Sequence, residues 1–100
     1  MKALTLLISP QAQEDLILIY AYSQLNFKKS IADNYLDLIH QRILKLSQSP
    51  KIGSTKNHIL PGLRAVNAER HLIYYRISQN NIEIIRILHH KQEPFKNLSK

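Results

Sequence analysis

Arg64, Arg86, His89 and His90 are residue types with which a protein can cleave RNA. Attack of a 2′-hydroxyl on its own phosphate needs a general base, a general acid and cations that stabilise the developing charge. Arg64 and Arg86 supply cations, and His89 or His90 transfers protons near neutral pH. The set is chemically sufficient, but spacing alone does not fix its mutual geometry. Other chemistries find less support. The only glycines, at positions 53 and 62, build neither a phosphate-cradling loop nor a nucleophile elbow. The histidines at 40, 58, 71, 89 and 90 include no i, i+4 pair and have no acidic residue at ligand spacing, so no metal site is expected. No cofactor is expected either. On a strand, His89 and His90 would point to opposite faces, leaving one ring for any one site and His89 open to a plain packing role.

These groups need a scaffold, and 100 residues suffice for one core. Residues 1–100 are therefore read as a single domain. A hydrophobic content of 44% is that of a globular chain. No apolar run approaches the roughly 20 residues of a membrane span. The Leu4 to Ile8 run is too short for a secretory signal, and with 0 Cys there is no disulfide framework, so a cytoplasmic location is expected. Residues 51–100 carry 9 Lys/Arg against 3 Asp/Glu, which makes the second half the electropositive end. Such a bias suits an acidic partner, or serves solubility alone.

The elements follow from periodicity. Leu4 to Ile8 reads as a strand, and Ser9-Pro10 supplies an N-cap and a helix-compatible first residue. A helix to about Phe27 carries Ala12, Leu16, Ile19, Tyr20 and Phe27 on one side, with Glu14 and Asp15 placed to suit the helix dipole. Ile17, Leu18, Tyr22 and Leu25 widen its apolar surface beyond one core-facing stripe, which calls for a second packing partner. Ser30 and Asp33 have capping-box spacing at the start of a second helix. Its stripe is Ile31, Tyr35, Leu38, Ile39, Ile43 and Leu46, and it ends before Pro50. A short connection makes the pair an antiparallel hairpin. Residues 49–63 read as a long basic loop. Three strands follow, Arg64 to Asn67, His71 to Ser78 and Ile82 to His89. Asn80-Asn81 is expected to take the positive φ of the last turn. Ile84 with Leu88, and Ile85 with Ile87, would mark two apolar faces of a central strand. The polar tail from Lys91 is expected to fray. The fold class is α+β: an N-terminal strand, an antiparallel two-helix hairpin and a mainly antiparallel three-stranded C-terminal sheet.

The ordered set Ile8-Ser9-Pro10, Ala12, Asp15, Leu16, Tyr20, Ala32, Tyr35, Leu46, Pro50 and Gly53 continues into Pro61-Gly62-Leu63-Arg64 and His71. Ile73-Tyr74-Tyr75-Arg76 and Ile84-Ile85-Arg86-Ile87-Leu88-His89 complete it. Across nearly the whole chain this pattern resembles the ParE branch of the RelE/ParE toxin superfamily. The resemblance implies the toxin of a type II toxin-antitoxin module, which binds the A subunit of DNA gyrase, traps a cleavage complex and blocks replication without catalysis. It also implies a ParD-like antitoxin that lays an acidic, amphipathic segment along the toxin. Arg64, Arg76, Arg86, His89, Ile17 and Tyr22 are the candidate target- or antitoxin-facing residues; the arginines could equally be solvated charge or pair with Glu69 or Glu83.

His90-Lys91-Gln92-Glu93-Pro94 departs from the branch's usual segment of an Arg, a Met and an Asp. The neighbouring RelE branch implies a ribosome-dependent messenger-RNA endonuclease, with Arg64, His89 and His90 at the matching positions. No carboxylate lies between Asp37 and Glu69 to act as its base. A degenerate toxin that only binds antitoxin is the third reading. Tyr74 and Tyr75 beside Arg76 could stack on bases, but the hydrophobicity of their strand argues that at least one is core, and direct nucleic-acid binding ranks last.

Overall fold

A computed structural model describes residues 4–98. The order is β1 (Thr5–Ile8), α1 (Pro10–Asn26), α2 (Lys29–Gln48), β2 (Ser54–Thr55), β3 (Arg64–Ala68), β4 (His71–Ser78), β5 (Asn81–His89) and α3 (Pro94–Leu98). The α+β class and the helix hairpin stand, but the sheet has five strands in the order β1-β5-β4-β3-β2. β1 joins β5 in parallel, and β2, inside the expected loop, pairs antiparallel with β3. β5 therefore has neighbours on both sides, as its double-faced apolarity requires. Among the described residues no helix is long and apolar enough to cross a membrane.

Ser9 caps α1 as expected, accepting from Ala12 N–H at 3.0 Å, and Pro10 occupies the first turn. At α2 the expected capping box is absent. Lys28 is the N-cap without a side-chain bond, because Asp33 instead accepts from Lys29 Nζ at 2.9 Å and Tyr20 Oη at 2.8 Å. That second bond ties the two helices together.

A β-bulge in β5, opposite the Tyr74–Tyr75 step of β4, sets Arg86 opposite Tyr74 but Ile84 opposite Tyr75, leaving Ile85 as the extra residue. The extra residue reverses the face parity read from sequence. Ile84 shares the helix side with Ile87, packing with Ile39, Ile43 and Leu46. Ile85 joins Leu88 on the opposite face, with Leu63, Ala65, Tyr74 and Leu98. Both faces are thus covered, one by the helices and the other by the 56–63 loop and α3. Leu98 is only 6% exposed, so the described part of the tail docks where fraying was expected; residues 99 and 100 lie outside the described range. The positive φ of the β4–β5 turn falls on Gln79 (54°), not on Asn80-Asn81, and the β3–β4 turn places Glu69 at 56°.

The 49–63 loop is pinned at one buried hydroxyl. Tyr75 Oη donates to the Pro50 carbonyl at 2.7 Å and accepts from Gly53 N–H at 2.9 Å. A Cβ on Gly53 would sit 2.5 Å from that hydroxyl and 2.9 Å from the Ala65 carbonyl. Gly53→Ala is therefore expected to cost about 1–3 kcal/mol, because neither a fully buried tyrosine nor a strand carbonyl yields easily. Urea unfolding measures this; an unchanged midpoint would show that the loop is not anchored there.

Candidate functional site

Past Ile84, β5 keeps β4 on one side but has no strand on the other, because β1 ends at Ile8 and the chain turns into α1. Side chains of the turn and helix take over the ladder. Ser9 Oγ donates to the Ile85 carbonyl at 2.8 Å, and Asp15 Oδ2 accepts from Ile87 N–H at 2.9 Å. The same carboxylate accepts from Arg86 Nε at 2.8 Å and Arg86 Nη2 at 3.0 Å, while Arg86 Nη1 donates to the Asn97 carbonyl at 3.1 Å. One guanidinium thus joins α1, β5 and α3. Asp15, read from sequence as a helix-dipole residue, lies in the second turn and faces the core, its side chain 11% exposed against 18% for Arg86.

Above the far end of the sheet, where β4 begins and β5 ends, the helix hairpin leaves a groove of about 950 Å³. Leu18 and Tyr22 of α1 and Ile31, Tyr35 and Leu38 of α2 form its apolar walls. Leu18 and Tyr22 remain 59% and 64% exposed, so the surplus apolar surface read on the first helix is real and uncovered. Ile17 is 67% exposed but lies outside the groove lining. The floor and rim toward the sheet carry His71, His89, Arg70 and Lys91, with Glu69 the one acid among the lining residues.

His71 and His89 line that floor, and His90 stacks behind His89 outside the lining. His71 and His89 rings are 5.2 Å apart edge to face, and His89 and His90 stack at 4.3 Å. The expectation that His89 and His90 point apart fails because β5 stops at His89, and His90 belongs to the turn. Tyr35 Oη lies 2.6 Å from His71 Nδ1 and 3.2 Å from the Ala68 carbonyl, and accepts from Arg70 N–H at 3.2 Å. Burial first, then the neighbouring His89, pushes His71 down to about 4, against the pull of Asp15. Burial, His90, Lys91 and Arg70 all lower His89. His71 entered the sequence reading as a strand residue, one of five histidines without metal-ligand spacing and part of the family pattern, but not as a site residue. Its strand register opposite His89 was the signal that could have paired them.

The other candidates are scattered. Arg64 donates to the Gly53 carbonyl at 2.8 Å and to the Lys51 carbonyl at 3.3 Å, bracing the loop. It sits opposite Tyr75, four residues from His71 along β4, hence about 13 Å away along the strands. Arg64 and His89 are thus not brought together. Arg76 pairs across strands with Glu83 at 2.9 Å, one of the two partners anticipated. Among the described residues no group of three His, Cys, Asp or Glu is arranged to hold a metal ion.

The architecture is a helix hairpin laid on one face of a mainly antiparallel sheet, with an open apolar groove, and the sequence carried on it is that of a toxin of the RelE/ParE superfamily. The family model for the ParE toxin of type II toxin-antitoxin systems (parDE) matches residues 6–94, and the chain belongs to that family. It is the toxin component of a type II module. Toxin ParE1 of Mycobacterium tuberculosis is 30% identical over 93 residues, covering 92% of this chain and 95% of the relative. Toxin ParE1 of Caulobacter vibrioides is 28% identical, covering 82% and 84%. In fold the chain is similar to a chain of the chromosomal ParDE system from P. aeruginosa, with a TM-score of 0.77, 22% identity and coverage of 87% and 96%. The YoeB dimer structure from Staphylococcus aureus gives 0.60 at 26% identity, covering 88% and 98%.

Proposed function

We propose that this toxin acts in the cytoplasm by binding the A subunit of DNA gyrase and blocking replication without catalysis of its own. A cognate ParD-like antitoxin neutralises it by occupying the groove. The observation that carries the antitoxin reading is the groove itself, apolar on the helix walls and cationic toward the sheet, which matches a ligand with apolar anchors and carboxylates. A non-catalytic mode of action is supported by the separation of Arg64 from His89 and by the engagement of Arg86 with Asp15. Arg64, Arg76, His89 and, in the groove, Tyr22 remain the proposed contacts toward target or antitoxin.

Induced expression without antitoxin, with DNA and protein synthesis followed separately by pulse labelling, tests this function. DNA synthesis is expected to fall first, with a damage response. An early fall in protein synthesis with cut messages would overturn gyrase poisoning and favour the ribonuclease reading, for which the His71–His89 pair is the supporting observation. No growth arrest at all would mark a chain that only binds antitoxin.

A further inference from the structure

Resting on the reading of the groove as the antitoxin site, we propose that His71 and His89 form a carboxylate-binding subsite at its floor. An Asp or Glu of an amphipathic antitoxin segment occupies that subsite, and docking loads it with a proton. The walls alone would accept any amphipathic helix. The floor selects for charge, because Arg70 and Lys91 flank the two imidazoles and Glu69 is the one lining acid.

The hydrogen bonds of Tyr35 give His71 two arrangements. With a neutral ring, Tyr35 donates its hydroxyl proton to His71 Nδ1, and His71 carries its own proton on Nε2. When Nδ1 is protonated it donates to the Tyr35 oxygen, and the hydroxyl proton turns to the Ala68 carbonyl 3.2 Å away. The Tyr35–His71 bond persists in both arrangements, and only the bond to the Ala68 carbonyl is exchanged. His89 Nδ1 accepts from Lys91 N–H at 3.2 Å, which puts the His89 proton on Nε2 even in the neutral ring. Both rings therefore present Nε2–H as a donor, and a proton on His71 adds the charge that strengthens its bond to a carboxylate accepting from the two.

In the free protein the charged state is held off. Desolvation, His89 and His90 act against a proton on His71, while Asp15 acts for it; desolvation, His90, Lys91 and Arg70 act against one on His89. A partner carboxylate offsets these effects. The sign follows from linkage: a histidine whose pKa is higher in the complex than in the free toxin makes binding tighter as the pH falls toward the free value. Restoring His71 from about 4 to its ordinary 6.5 would tighten binding about four-fold between pH 7.5 and pH 6, with uptake of about half a proton at pH 6.5.

Isothermal titration of the toxin with the antitoxin encoded in its module, in buffers of different ionisation enthalpy, measures both quantities. Wild type should show the uptake and the slope, and His71→Gln should bind with neither. His89→Gln, at the half-buried strand end, serves should His71→Gln fail to fold, and it should reduce both. Binding by wild type without proton uptake, or the same uptake in both variants, would overturn the subsite. Leu18→Asp separates the two levels of argument. If it leaves antitoxin binding intact, the groove is not the docking surface and the reading beneath this inference fails. If it abolishes binding while wild type shows no proton linkage, only the subsite fails.

Discussion

Asp15→Ala is expected to destabilise the protein by about 3–5 kcal/mol, the cost of leaving a buried charge without its partner. The change strands more than one group. Arg86 loses both bonds from its guanidinium to the carboxylate, and Ile87 N–H loses the acceptor that replaces a missing strand. For a chain of this size the melting temperature should fall by more than about 10 °C. Arg86→Ala should cost a similar amount and also free α3, whose Asn97 carbonyl it holds. The double change Asp15→Leu with Arg86→Met should recover part of the loss, since a packed apolar pair needs no charge compensation. By contrast, Arg76→Ala removes an exposed pair with Glu83 and should stay within about 1 kcal/mol. Urea unfolding of the four variants decides the matter. If Asp15→Ala costs no more than Arg76→Ala, the bonds at the end of β5 are not what holds α1 to the sheet.

The second large effect concerns binding. Leu18→Asp and Tyr22→Asp should each weaken antitoxin binding by about 30- to 1,000-fold, as loss of a central apolar anchor does, and together abolish it. Both side chains are more than half exposed in the free toxin, so folding should change by no more than about 0.5 kcal/mol. Ile17→Asp is the control. It is equally exposed on the same helix but outside the groove lining, and a much smaller loss is expected. The measurement is titration calorimetry, paired with a growth assay in which co-expressed antitoxin rescues wild type but not the groove variants. Unaltered affinity in the double variant would remove the groove from consideration. An Ile17→Asp loss as large as the others would move the interface to the outer face of α1.

Local signals made most of the scaffold legible. Ser9-Pro10 marked the start of α1 because a cap and an N1 proline act within one turn. The surplus of Leu18 and Tyr22 over one core stripe foretold an uncovered surface, since helical periodicity alone tells which side a residue takes. The class, the hairpin and the centrality of β4 and β5 follow from the same kind of information. The failures share a cause in long-range pairing. Ser30 and Asp33 had the spacing of a cap, but Tyr20, on another helix, recruited the carboxylate. Ile84 and Leu88 had the spacing of one face, but a bulge placed between them exchanged the faces.

Residue types at short range thus determined the order of helices and strands, the electropositive second half and the family pattern. Only the tertiary structure decided that Asp15 and Arg86, 71 positions apart, form a buried pair, and that His71 rather than Arg64 stands beside His89. The reason is physical. Propensity, capping and periodicity act over one or two turns of chain, whereas strand order, bulge position and strand register are set by how whole elements bury their faces against one another.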